Sequence, residues 1–292
     1  MKRAIDHLVL AVNDLEAARE TYRRMGFTLT PPAQHPWGTA NSLVQLQGNF
    51  LELLALADPA KIPAPEPGRF SFGAFNQAFL RRRQGLSMLV FQSSDARRDQ
   101  AEFAARGLQT YEPFDFSRQA KLPDGSLKTV AFSLAFVTEP RMPDAAFFTC
   151  QQHAPEFFWK PEYQRHANGA RAVVEVVMLA NDPGGLAEFF GKLLEPDAVS
   201  RAEGALRVRL GEGALSVLDA TRLALRFPGI RLRDVLRKPH FAGYSIAVAD
   251  LDVAEDVLER NDIPAERSDD RLQIAAEHGF GTVIELRAAE QR

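Results

Sequence analysis

Two residues near the N-terminus have the types and spacing of a chemical site. In the run Ile5-Asp6-His7-Leu8-Val9-Leu10-Ala11-Val12, strand alternation puts His7 on one face with Ile5, Val9 and Ala11. Leu8, Leu10 and Val12 share the other face. In Phe50-Leu51-Glu52-Leu53-Leu54, Glu52 shares a face with Phe50 and Leu54. If the Leu8 face packs on a helix, two strands can bring an imidazole and a carboxylate to one spot. Such a pair suits Fe, Mn, Ni or Zn, with open positions on the metal to polarise a substrate oxygen. It also suits a metal-free pocket. Between the two, His35-Pro36-Trp37-Gly38-Thr39-Ala40-Asn41 offers an imidazole titrating near neutrality, an apolar plane and an amide that donates and accepts. His35, Trp37 and Asn41 either wall a pocket or fix the turn. Further on, Phe147-Phe148-Thr149-Cys150-Gln151-Gln152-His153 aligns Thr149, Gln151 and His153 on one face. Gln151 or His153 is a candidate third metal ligand; an exposed strand-end histidine is the alternative. Cys150, in an apolar strand with no activating base beside it, reads as core.

The elements that must position these residues come in repeats. The first strand leads into Asn13-Asp14, then a helical stretch from Leu15 to Met25, then Gly26. Asp14 suits an N-cap and Gly26 a left-handed C-cap. Strand-rich text follows, ending at Phe50 to Leu56. The same order recurs with capping aspartates at Asp95, Asp182 and Asp250, and Gly107 lies twelve residues past Asp95 just as Gly26 lies twelve past Asp14. Each copy ends in a strand, and four strand-helix-strands units are expected. They form an α+β protein with a first half over residues 1–154, a connector over 155–170 and a second half over 171–292. The segment 59–85 starts Pro-rich and then carries Phe70, Phe72, Phe75 and Phe79; it reads as a loop with a short packing helix, or as a lid.

Composition limits the partners. The chain of 292 residues is 46% hydrophobic, long enough for well-filled cores, and its 35 basic and 38 acidic residues nearly cancel to a formal charge of −3. No whole-molecule field favours nucleic acid or an anionic membrane, and no apolar run is long enough to span a bilayer. Small molecules, or a second copy of the chain as a homodimer, are the expected partners. One cysteine permits no internal disulfide, and strand text begins within a few residues of Met1, so a reducing cytoplasm is the expected setting. Phosphate loops, dinucleotide fingerprints and Cys-pair zinc sites are absent from the sequence.

The βαβββ order, the opening strand with His7, the helix ending Met25-Gly26-Phe27 and the strand Phe50-Leu51-Glu52-Leu53 resemble the vicinal oxygen chelate superfamily, which includes glyoxalase I, bleomycin-resistance proteins and extradiol dioxygenases. Within it, His35 to Asn41 followed by Phe50 to Leu53 is similar to the glyoxalase-like domain group. The resemblance implies that paired units form cupped mixed sheets with helices outside and a divalent metal inside the cup. It places His7 and Glu52 at ligand positions. The position matching His7 in the second unit is Met88, a poor ligand for a hard divalent ion and read instead as pocket wall. In the other half, Glu175 and Gly243 stand at the first-strand positions and Glu285 matches Glu52. Two carboxylates without a histidine make a weak transition-metal site; as a buried pair they would share a proton or hold a cation. That half reads as scaffold, and the pattern argues against an extradiol dioxygenase. The expected activity is that of a metal-dependent lyase or isomerase on a small oxygenated metabolite, with Glu52 or His35 moving a proton. The alternative is a metal-free protein that binds or sequesters a small molecule.

Overall fold

The computed structural model describes residues 3–121, 127–228 and 238–289. Each repeat begins as its sequence requires. β1 (Ile5–Ala11) is buried on both faces and runs into α1 (Leu15–Arg24), whose first free amides are met by the Asp14 carboxylate, which accepts from Ala17 N at 3.0 Å. The helix ends at Gly26 with φ of 88°. A Cβ there would strike Val257 and the backbone at Asn168. β2 (Ala33–Gln34), β3 (Thr39–Gln45) and β4 (Phe50–Leu56) complete the unit. The 59–85 insertion contains α2 (Phe72–Leu80), capped by Ser71.

The second unit consists of β5 (Gly85–Ser93), α3 (Ala96–Ala105), β6 (Gln109–Thr110), β7 (Phe114–Lys121), β8 (Leu127–Thr138) and β9 (Ala146–Gln152). A short helix, α4 (Pro155–Phe158), follows. The third unit runs through β10 (Ala170–Leu179), α5 (Ala187–Leu193), β11 (Val199–Ala202), β12 (Ala205–Leu210) and β13 (Gly213–Leu218). After α6 (Ala220–Arg226) comes the fourth: β14 (His240–Val248), α7 (Leu251–Arg260), β15 (Glu266–Ser268), β16 (Arg271–Ile274) and β17 (Val283–Ala288). Asp95, Asp182 and Asp250 each accept a backbone amide at the start of their turn, as Asp14 does.

Two mixed sheets result, one per half, as the α+β repeat reading requires. In the first the strand order is β2-β3-β4-β1-β5-β9-β8-β6, with β7 also on β8; in the second it is β11-β12-β13-β10-β14-β17-β16-β15. In each, the first strands of two units pair antiparallel at the centre, β1 with β5 and β10 with β14, flanked in parallel by their own last strands.

Leu8, Leu10, Leu51 and Phe147 of the first sheet share one apolar core with Val176, Met178, Tyr244 and Ile246 of the second and with residues of α1, α3, α5 and α7. The two halves therefore meet through their helix-bearing faces. The Tyr22 and Tyr244 hydroxyls bond across this core at 2.7 Å. The other face of the first sheet carries its own apolar cluster, including Val9, Phe50, Met88, Val90 and Phe148. No helix among the described residues is long and apolar enough to cross a membrane.

Candidate functional site

Seven residues before each capping aspartate stand His7, Met88, Glu175 and Gly243. Two residues further along, Val9, Val90, Val177 and Ser245 are paired in parallel with Glu52, Phe148, Ser216 and Glu285. Each cup thus has four equivalent positions on its floor. In the first they are His7, Glu52, Met88 and Phe148. In the second they are Glu175, Ser216, Gly243 and Glu285.

His7 is 5% exposed. Its ring stacks on Phe50 at 4.3 Å and meets the edge of Phe148 at 5.5 Å. Its Nδ1 donates to Asp6 Oδ1 at 2.6 Å, since a carboxylate can only accept. That fixes the tautomer and leaves Nε2 facing Glu52 Oε2 at 3.8 Å, too long for a hydrogen bond. Asp6 is held from the far side by Gln152 Nε2 at 3.1 Å. Glu52 Oε1 accepts from Asn41 Nδ2 at 2.7 Å, and the same amide lies 3.3 Å from His35 Nε2. His35 Nδ1 is 2.8 Å from the Thr39 hydroxyl, and its ring stacks on Trp37 at 4.6 Å. Burial pushes the His35 pKa down against the pull of Glu52, with Arg118 adding to the downward shift. His35 is therefore a neutral ring that orients Asn41, one residue removed from Glu52.

These groups line a partly open cavity of about 60 Å³, walled by Trp37, Phe72, Phe114, Phe116, Phe132 and Phe158. Cys150 also lines it; burial, reinforced by Asp6 and Glu52, raises its pKa well above the usual thiol range, so it stays protonated. Met88 belongs to the apolar cluster beneath the site, fully buried beside Val9 rather than lining the cavity.

The structure brings together His7, His35, Trp37, Asn41 and Glu52. It does not bring Gln151 or His153. On β9 the cup face is Phe148, Cys150 and Gln152, one residue out of phase with the expected set. Gln151 accepts from Ala96 N at the start of α3, and His153 bonds Ser133 at 2.8 Å beside a separate surface recess. The expected third metal ligand is thus not supplied from β9. The equivalent floor positions, Met88 and Phe148, are apolar, and among the described residues no group of three His, Cys, Asp or Glu side chains is placed to hold a metal. Two converging donors fall short of the three that hold a catalytic zinc, so the residues present do not fit a resident metal.

Three participants were missed by sequence reasoning. Asp6 was hidden by reading the strand as purely alternating. Phe158 lay in the connector. Arg118 sits on β7, where Phe114-Asp115-Phe116-Ser117-Arg118 puts two aromatic residues and the arginine on one face; that alternation was the available signal.

In the second cup the floor is occupied by the chain itself. Arg226 Nη2, at the end of α6, donates to Glu175 at 3.0 Å and to Glu285 at 2.6 Å. Arg287 also donates to Glu175 at 3.1 Å, and Ser216, Ser245 and Gln273 add bonds to the two carboxylates. Phe227 fills the space over Gly243, where an added Cβ would lie 3.0 Å from its ring.

The family described as a glyoxalase-like domain matches residues 5–194. The chain belongs to that family. Its glyoxalase-like fold extends beyond the match. A hypothetical protein from Staphylococcus aureus superposes with a TM-score of 0.70 at 13% identity, covering 98% of this chain and 100% of that one. A mutant 4-hydroxymandelate synthase from Streptomyces coelicolor superposes at 0.58 and 10% identity, covering 100% and 94%. A fusion of a xylose isomerase-like TIM barrel with a 4-hydroxyphenylpyruvate dioxygenase gives 0.57 and 13%, covering 100% of the glyoxalase-like chain and 50% of the fusion. At such identities the likeness is one of fold. A comparison with curated proteins gives no match.

Proposed function

We propose that the first cup is a metal-independent acid–base site that moves a proton on a small hydroxy-carbonyl compound, a reaction of isomerase or lyase type. The observation that carries this reading is the pair His7 Nε2 and Glu52 Oε2, 3.8 Å apart, each held from behind, by Asp6 and by Asn41, and facing one aromatic-walled cavity. Glu52, as the carboxylate, accepts the proton from the carbon beside a carbonyl while His7, carrying a proton on Nε2 as well as on Nδ1, gives the Nε2 proton to the carbonyl oxygen; return of the first proton from Glu52 to the neighbouring carbon, with the adjacent hydroxyl proton passing back to His7 Nε2, completes an isomerisation. Asp6 stabilises the imidazolium whenever His7 holds the extra proton. The Asn41 amide keeps Glu52 pointed at the cavity. The phenylalanine walls make the surroundings of the pair apolar, which strengthens these interactions.

The test is exchange of carbon-bound hydrogen in D2O, followed by proton NMR, with dihydroxyacetone and related hydroxy-carbonyl compounds. Exchange is expected before and after dialysis against chelator, and to fall by about 10²- to 10⁴-fold in His7→Ala and in Glu52→Gln. Exchange that appears only on adding a divalent metal would overturn the metal-independent reading. Tight binding with no exchange would instead make the cup a sequestering site.

A further inference from the structure

Two residues that line the cavity carry hydrogen-bond donors with no acceptor among the described residues. Arg118 lines it together with His7 and Glu52, and among the described residues its guanidinium has neither a hydrogen-bond nor an ion-pair partner. Burial lowers its pKa, with Glu52 the one carboxylate acting on its charge. The Trp37 indole Nε1–H is buried and likewise lacks an acceptor. A half-buried guanidinium gives up hydration and, left unpaired, recovers none of it. Its planar fork matches the two oxygens of a carboxylate.

From these donors we infer that the ligand of the first cup is a short, singly charged carboxylate bearing a further oxygen, its carboxylate on Arg118 and its reacting carbon toward His7 and Glu52. The inference rests on the acid–base reading above for the second half of that orientation; the anion site stands on Arg118. Charge argues for a monoanion. Among the described residues that line the cavity Arg118 is the one Lys or Arg, and Glu52 beside it repels a second negative charge, so a phosphate dianion would be left uncompensated. Size argues for a short chain. At about 10–15 Å³ for each water-sized group, 60 Å³ holds about four to six non-hydrogen atoms. Beyond the wall formed by Trp37, Phe72 and Phe114 lies an outer recess of about 200 Å³ that these same residues also line. A longer apolar tail directed toward that recess would have to displace the wall, so Phe72 of the 59–85 insertion limits ligand length in that direction.

The experiment is isothermal titration of the whole protein with lactate and pyruvate, with lactamide as the uncharged control and inorganic phosphate as the dianion. Lactate and pyruvate are expected to bind, and lactamide and phosphate to bind far more weakly. Arg118→Gln should lower carboxylate affinity by about thirtyfold or more, leaving lactamide unaffected; Arg118→Lys should recover part of the loss. Circular dichroism of each variant checks that the fold is intact. Equal affinity for lactate and lactamide, tighter binding of phosphate, carboxylate affinity unchanged in Arg118→Gln, or no carboxylate binding at all would each overturn the inference. The two proposals fail separately. Arg118-dependent carboxylate binding with no proton exchange removes the catalytic reading and keeps the ligand class. Exchange on neutral hydroxyketones with no role for Arg118 does the reverse.

Discussion

In the first cup the polar floor positions belong to one repeat, His7 and Glu52, whereas in the second they are split between two, Glu175 and Glu285. Both cups also carry arginine. Arg226 and Arg287 each reach both carboxylates of the second cup and close it, with Arg207 and Arg271 beside one each; among the described residues Arg118 reaches no acceptor, and the first cup keeps a cavity. The repeated fold thus builds two similar concave surfaces. What separates a filled one from an open one is whether the chain supplies the counter-ion itself. The α6 helix does so in the second half, and the strand β7 stops short of doing so in the first.

The sharpest way to break this comparison is to remove Arg226 and Arg118 in turn. Arg226→Ala removes the least exposed cation shared by Glu175 and Glu285 and should cost up to about 3 kcal/mol in urea unfolding, less than the loss of a sole partner because Arg287 still reaches both carboxylates. Adding Glu285→Gln to that background should recover part of the loss; an Arg226→Ala protein as stable as the parent would mean the second cup is not held by its ion pairs. Arg118→Gln should have the opposite sign, leaving the ligand-free protein as stable or more stable by about 1 kcal/mol, because an unpaired half-buried charge is removed. A large destabilisation there would show that Arg118 is structural.

A smaller effect distinguishes the cups by pH. The folded His35 pKa lies below the ordinary value of about 6.5 because of burial. The unfolded chain therefore binds the proton more readily, so stability is full above about pH 6.5 and is lost as pH falls below it. The slope is at most about 1.4 kcal/mol per pH unit for this group, and His166, lowered by its own burial, adds in the same direction. Urea midpoints between about pH 7 and pH 5 should fall less steeply in His35→Asn than in the parent. The smallest expectation is none at all: His153→Ala, outside the cup, should leave ligand affinity in the first cup unchanged in the same titrations.

These outcomes bear on what the chain reveals before it is folded. The four capping aspartates were legible because an N-cap is a local event: the carboxylate, its acceptor role and the following helix all lie within a few residues. His7 and Glu52 were legible as a pair because Leu8, Leu10 and Leu53 show which face packs inward. Phasing failed on β9. Its run Phe147-Phe148-Thr149-Cys150 has an apolar residue on either face, and a one-residue error turns every side chain to the other side. The expected Gln151 and His153 face away from the cup, whereas Phe148 and Cys150 line the cavity and Gln152 bonds Asp6 behind His7. Arg226 was out of reach for another reason. It lies more than fifty positions from Glu175 and nearly sixty from Glu285 in the sequence, and no local pattern links it to either.

The hydroxyl bond between Tyr22 and Tyr244 has a consequence for cooperativity. Both phenols are wholly buried in the one core that the halves share, so separating the halves would strand two hydroxyls and expose aromatic surface on α1, α5 and β9 together. Neither half has a complete interior without the other. Equilibrium unfolding is therefore expected as a single transition, coincident by tryptophan fluorescence and far-ultraviolet circular dichroism. A protease cut within the connector should leave the two fragments associated until that transition is reached.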